Sequence, residues 1–88
     1  MHPILQEIKE ILSYQFNVNE SDIGLETEFE MDLVADSRDL LEIMAEFEEA
    51  FDIEIEYEAM YDIINVKDAF IYVLNRKAAR DELYSNLH

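Results

Sequence analysis

The sequence contains no cysteine, and only one glycine and one proline in 88 residues. Without cysteine there can be no disulfide, no cysteine zinc site and no thiol nucleophile, a usage that fits a reducing compartment. With Gly24 as the single glycine, no glycine-rich phosphate loop can be drawn. The two histidines, His2 and His88, lie at the far ends of the sequence, which gives a hydrolase triad nothing to be built from. Bases are scarce as well: 6 Lys and Arg stand against 22 Asp and Glu, for a formal charge of −16. Such a chain is repelled by nucleic acid and by anionic membrane surfaces. No apolar run approaches the roughly 20 residues of a membrane span. The start, Met1-His2-Pro3-Ile4-Leu5-Gln6-Glu7, has no basic region followed by an apolar run, so a secretory signal is not expected and the cytoplasm is the expected location.

What is present is apolar mass and acid. Half of the residues are apolar, enough for one compact domain over residues 1–88, with 77–88 expected to form a C-terminal extension. The acids are unevenly placed. Of the 22, 17 fall between Glu20 and Asp62, where Arg38 is the only base. A basic protein surface is the natural partner for such a stretch, and attraction speeds the encounter.

Helical periodicity accounts for most of the chain. Pro3 suits a first helical turn, and Ile4, Leu5, Ile8, Ile11, Leu12 and Phe16 follow at helical spacing, which predicts a helix from Pro3 to Phe16. Residues 17–36 form a long connection pinned by Val18, Ile23, Leu25, Phe29 and Leu33, with a short helical turn near Ser21. A second helix is predicted from Ser37 to Phe51. Leu40, Ile43, Met44, Phe47 and Phe51 make one apolar stripe, while Asp39, Glu42, Glu46 and Glu49 occupy the other side. Arg38, Leu41 and Ala45 lie on an exposed flank beside those acids. The like charges at i, i+3 and i+4 repel one another, a cost that hints at a use. A linker over 52–57 and a short helical segment from Glu58 to Ile63 follow. Asn65 and Asp68 form a capping-box-like pair that starts the last helix, with Val66, Ala69, Phe70, Val73, Leu74 and the stem of Lys77 inward. That helix is expected to run past Arg76 toward Leu83, with a frayed end from Tyr84 to His88. The result is an all-α bundle of three main helices and one short one, with a long first loop.

Chemistry-bearing patterns are few. A calcium loop can be tried over Asn17–Glu28, but Asp22 stands where the sharp-turn glycine is required, so no metal ligand set is assigned. Paired carboxylates mean nothing in so acidic a chain. Ser37 remains, at the junction of the long loop with the second helix. Asp36 can cap that helix, and the unpaired N–H groups and positive dipole end favour an anion on the neighbouring hydroxyl. By itself a serine in this place is an ordinary helix-start residue.

The stretch Asp32-Leu33-Val34-Ala35-Asp36-Ser37 resembles the Asp-Leu-Gly-Ala-Asp-Ser signature of acyl carrier proteins. The similarity continues without a gap through Glu42-Ile43-Met44, Glu48 to Ile55, Val66-Lys67-Asp68-Ala69 and Tyr72. Phe29 matches the aromatic ahead of the motif. The resemblance implies a four-helix bundle of acyl-carrier type with a short third helix, and a monomeric carrier with no catalysis of its own. It implies 4′-phosphopantetheine on Ser37 beside Asp36, transferred from coenzyme A by a separate phosphopantetheinyl transferase. The arm's thiol would hold acyl groups as thioesters in fatty acid or related lipid or polyketide biosynthesis. The resemblance also implies docking of basic patches of acyl-processing enzymes on Asp36, Asp39, Glu42, Glu48 and Glu49, with Arg38, Leu41 and Ala45 on the same flank. An acyl chain would enter among Phe29, Leu33, Ile43, Phe47, Ile55, Met60, Ile63 and Ala69. The alternative is an acidic helical adaptor that keeps the fold without the arm.

Three positions depart from the family pattern. Val34 replaces the glycine, and because a β-branched residue resists positive φ the loop is expected to be extended or helical there. Arg38 replaces an apolar residue after the serine, and Glu56 replaces a common proline. Bulky Phe47 and Met60 are expected to narrow the chain-binding cavity. Arg38 and the basic Arg76, Lys77 and Arg80 point to a carrier dedicated to one pathway.

Overall fold

A computed structural model describes residues 2–86, with side-chain surroundings as far as Asp81. Three α-helices, α1 (Pro3–Phe16), α2 (Ser37–Phe51) and α3 (Val66–Asn86), are joined by segments that carry 3₁₀ turns at Glu20–Asp22 and Tyr57–Tyr61. The fold is all-α, and α1 packs against both α2 and α3. The short helix near Ser21 is a 3₁₀ turn. The segment expected over Glu58–Ile63 is also 3₁₀ and starts a residue earlier, held by i→i+3 bonds from Ala59 N–H to Glu56 O and from Asp62 N–H to Ala59 O, both at 3.0 Å. The bundle's short helix is thus one tight turn, too brief for α geometry.

Each helix starts where its sequence supplies a cap. At α1 the His2 ring accepts the Ile4 N–H at 3.1 Å through Nδ1, and its edge meets Phe70 with ring centroids 5.1 Å apart. At α3 Asn65 Oδ1 accepts the Asp68 N–H at 2.9 Å while Asp68 Oδ2 accepts the Asn65 N–H at 3.3 Å, the reciprocal pairing expected of that pair. α3 stays helical through Asn86, so the fraying expected from Tyr84 is not seen there; Leu87 and His88 lie outside the described residues.

The core forms along the predicted stripes. Ile8 and Leu12 of α1, Leu40, Ile43, Met44, Phe47 and Phe51 of α2, and Val66, Ala69 and Val73 of α3 are buried together. The long connection contributes Ile23, Phe29 and Ala35 to the same cluster. Truncating a buried phenylalanine such as Phe47 leaves a cavity and costs ~3–5 kcal/mol.

A 20-residue connection stays ordered because its backbone pairs with the start of α3. The Phe29 N–H donates to Ile64 O at 3.0 Å, and Thr27 O and Leu25 O accept the Val66 and Lys67 N–H groups at 3.0 and 2.9 Å. Those two N–H groups belong to the first turn of α3 and have no intrahelical acceptor, so the loop satisfies them.

Gly24, the only glycine, is not at a left-handed position, and a side chain there would meet open space. Among the described residues three others carry positive φ instead: Asn17 at 53°, Val34 at 55° and Asp52 at 54°. Asn17 and Asp52 close α1 and α2 as left-handed caps, a conformation their short polar side chains tolerate. Val34 overturns the expectation of an extended or helical backbone. Leu33 N–H returns to Glu28 O at 3.2 Å and Ala35 N–H returns to Phe29 O at 2.9 Å, so both neighbours are tied and the turn falls on the residue between them.

The basic residues near the end of the chain fold back on α2. Arg80 Nη1 donates to Asp52 O at 2.9 Å and pairs with the Asp52 carboxylate, Arg76 Nε donates to Glu54 O at 3.1 Å, and Lys77 Nζ donates to Phe51 O at 3.4 Å. Cations are favoured at a helix C-terminus, where carbonyls lack partners. These three side chains therefore have an internal role, which weakens their use as a sign of a dedicated pathway.

Candidate functional site

The N-terminus of α2 is built by two aspartates. Asp36 is extended, with φ −94° and ψ −178°, and its Oδ1 accepts the Asp39 N–H at 2.9 Å. Asp39 Oδ2 accepts the Asp36 N–H at 3.1 Å. This reciprocal box fixes the entry of the chain into the helix and places two carboxylates at the positive end of the dipole. Ser37 is the first helical residue, and its side chain is exposed. The N–H groups of Ser37 and Arg38 have no acceptor within the helix. A phosphodiester on the Ser37 hydroxyl would sit where those donors and the dipole favour an anion. The exposed hydroxyl at a capped helix start fits a phosphate-linked arm.

Ser37 also stands on the wall of a cavity of about 280 Å³ between α2, the loop after Glu28 and the second 3₁₀ turn. Buried Phe29, Leu40, Met60 and Ile63 form its floor, and Met31, Tyr57, Tyr61 and Ile64 form an exposed rim. The Tyr61 hydroxyl donates to the Tyr57 hydroxyl at 3.3 Å, with the rings edge-on at 5.8 Å. That hydrogen bond, then the neighbouring Tyr57 charge, raises the Tyr61 pKa above its ordinary value.

Of the residues expected to receive an acyl chain, Phe29, Met60 and Ile63 line this cavity. Ile43, Phe47 and Ala69 do not line it and are 0, 1 and 1 % exposed within the packed core. Leu33 lies on a different groove with Val18 and Thr27, and Ile55 is half-buried at the α2 exit. Leu40, Tyr57, Tyr61, Ile64 and Met31 also line the cavity without having been singled out in the sequence. Leu40 belonged to the predicted stripe, and the four rim residues carry no local signal, because their neighbourhood is set by the pairing of Phe29 with Ile64.

The acids on the expected docking face mostly have internal partners. Asp36 and Asp39 hold each other's backbone. Glu42 pairs with Arg38 at 3.4 Å and accepts the Gln15 amide at 2.8 Å, which ties α1 to α2. Glu48 Oε2 accepts the Ile55 N–H at 3.0 Å and so shapes the chain leaving α2. Glu49, Leu41 and Ala45 are exposed, and Arg38 has 87 % of its side chain in solvent. Among the described residues no three His, Asp or Glu side chains converge as a metal site. Among the described residues no helix is long and apolar enough to cross a membrane.

Comparison with known proteins gives this geometry a family. The model of the phosphopantetheine attachment site family matches residues 6–72, most of the chain, so the protein belongs to that family of carrier proteins, whose prosthetic group is 4′-phosphopantetheine. A solved acyl carrier protein from Enterococcus faecalis superimposes with a TM-score of 0.74 at 29% identity, covering 83% of this chain and 92% of its own. An apo doublet acyl carrier protein from prodigiosin biosynthesis gives 0.71 at 27% identity, over 83% of this chain and 35% of its own. No curated protein sequence matches the chain significantly. Family and neighbours together place the chain among acyl carrier proteins, which carry groups for acyl-processing enzymes and do not themselves catalyse.

Proposed function

We propose that the Ser37 hydroxyl bears the 4′-phosphopantetheine arm and that the chain shuttles acyl thioesters in fatty acid or related lipid or polyketide biosynthesis. The observation that carries the reading is the setting of Ser37, an exposed hydroxyl at the first position of a boxed helix and on the wall of a cavity lined mostly by apolar side chains, with Glu28 and Glu30 beside them. In the transfer the Ser37 oxygen gives up its proton and forms a bond to phosphorus, while the pyrophosphate link of coenzyme A breaks and its nucleotide half leaves. The protein's own contribution is to present the hydroxyl and to offer unpaired N–H groups beside the new phosphodiester.

The carrier works as a monomer in the cytoplasm and docks on basic patches of the transferase and of acyl-processing enzymes. Glu49 offers an exposed charge for that purpose, and Asp36, Asp39, Glu42 and Glu48 add to the field while holding structure. Exposed Arg38, Leu41 and Ala45 give the same flank its selectivity. Long-range attraction from an excess of 16 negative charges favours fast, salt-sensitive encounters over tight ones.

Co-expression with a phosphopantetheinyl transferase, followed by intact mass measurement, tests the reading. The expected result is a gain of one phosphopantetheinyl group that Ser37→Ala abolishes. An unchanged mass with several transferases, or a gain that survives the substitution, overturns it.

A further inference from the structure

We infer that the groove between α1 and α2, on the side of α2 away from Ser37, docks a basic helix of a partner protein and leaves the serine free. Three observations carry it: an aromatic ring held out in solvent, an apolar strip beside it, and a row of carboxylates spaced to meet a helix. It stands whether or not Ser37 bears the arm.

Glu7, Glu10 and Tyr14 fall at i, i+3 and i+7 on α1, within about 60° of one another around the helix. With Glu46 of α2 they line a groove of about 300 Å³, and half-buried Ile11 and Gln15 complete it. The Gln15 amide donates to Glu42 at 2.8 Å and so ties the two helices together beside the groove. Tyr14 is 92 % exposed, the most exposed large apolar side chain among the described residues. Such a ring gains nothing from the fold that displays it. Glu10 accepts the Gln6 amide at 3.2 Å, and among the described residues no cation pairs with Glu7, Glu10 or Glu46. Lys9, the one base of α1, lies about 100–160° around the helix from the row. The like charges at Glu7 and Glu10 therefore repel without local relief.

Charge and spacing specify the occupant. A helix with arginines at i, i+3 and i+7 repeats the ~4.5 and ~6 Å steps of the row. Its guanidinium groups meet the carboxylates, one of them stacks on the Tyr14 ring, and their apolar stems cover Ile11. Ser37 and Glu46 are nine residues apart on α2, which places them about 180° apart around it. The groove and the cavity beside Ser37 share no lining residue. A partner seated in the groove therefore holds the carrier by one side of α2 while the side that bears the serine stays open.

The test titrates the isotope-labelled full chain with an alanine-rich helical peptide bearing arginines at i, i+3 and i+7. Physiological ionic strength is used, because screening over ~8 Å suppresses the general attraction of the acidic surface. Amide shifts are expected along Glu7 to Gln15 and around Glu46, with Ser37 unmoved. The combined Glu7→Gln, Glu10→Gln and Glu46→Gln variant should bind about tenfold more weakly. The combined Glu54→Gln, Glu56→Gln and Glu58→Gln variant removes the same charge from exposed positions elsewhere and should lose less than about threefold. Tyr14→Ala should cost about two- to fivefold while Tyr14→Phe keeps the affinity, the pattern of a ring that receives a cation. A peptide with the same arginines spread around its helix should bind several-fold more weakly. Circular dichroism confirms that each variant is folded. Absence of binding, equal losses from the two triple variants, equal affinity for the two peptides, or shifts centred on Arg38, Leu41 and Glu49 overturn the inference. So does a Tyr14→Ala variant that binds as tightly as the parent.

Discussion

Replacing Val34 by glycine should stabilise this protein. Val34 holds φ at 55°, and a left-handed conformation costs an L-residue ~1–2 kcal/mol, with β-branched side chains at the upper end. Two terms oppose the gain. Glycine widens the unfolded ensemble, at a cost of ~0.4–1 kcal/mol. The lost side chain is 79 % exposed, so about a fifth of the ~1.5 kcal/mol or more available from burying a valine is forfeited, roughly 0.3–0.5 kcal/mol. Taking ~2 kcal/mol of relieved strain against ~1 kcal/mol of combined losses leaves a gain of about 1 kcal/mol. In a domain of this size that raises the melting temperature by about 4–8 °C. Thermal melts followed by far-ultraviolet circular dichroism measure it. Val34→Asn is a useful second variant, because asparagine tolerates the left-handed region without glycine's extra freedom, and it should melt at or above the Val34→Gly midpoint. If both variants melt below the parent, the strain argument fails, and whatever Val34's side chain touches matters more than its backbone.

Three further outcomes follow from contacts described above. Asp36→Ala should cost about 1 kcal/mol of stability through the lost cap, whereas Asp36→Asn should cost only a few tenths and still slow arm transfer, separating the structural from the electrostatic role by denaturant melts and transfer rates. Arg80→Ala removes an exposed ion pair and a carbonyl contact at the α2 C-terminus, so a loss of ~0.5–1 kcal/mol is expected; a melting midpoint within error of the parent would refute a role for that contact. Tyr57→Phe removes the acceptor for the Tyr61 hydroxyl, and ultraviolet titration should show Tyr61 ionising closer to its ordinary value of 10.0. Because the folded-state pKa is raised, the contribution of this hydrogen bond is present below the unfolded value and is lost as pH rises through the folded one.

The helices were readable because their signals are local. Pro3 opens α1 at Pro3–Phe16, and the cap Asp36 announces α2 at Ser37, where the structure adds Asp39 as its reciprocal partner. The core stripe of α2 followed from 3.6-residue periodicity alone, and all five of its residues are buried. What the sequence concealed depends on pairings between distant segments. The positive φ of Val34 is imposed by two hydrogen bonds that reach back to Glu28 and Phe29, against the residue's own preference. Three of the four rim residues around Ser37, Tyr57, Tyr61 and Ile64, lie 20 to 27 positions further along the chain, in the segment whose Ile64 pairs with Phe29. Four of the five acids expected to face partners, Asp36, Asp39, Glu42 and Glu48, also bond within the fold, because a carboxylate near an unpaired N–H is drawn to it whatever else it does.

The folding of Arg76, Lys77 and Arg80 onto the carbonyls of Phe51, Asp52 and Glu54 has a practical consequence for anyone who wishes to transplant this carrier. The family signature ends at residue 72, so a graft or fusion cut at that border would sever all three cations from the helix they close. Such a fragment would keep its serine and its cavity yet present a loosened far end of α2. The seam should therefore be placed beyond Arg80.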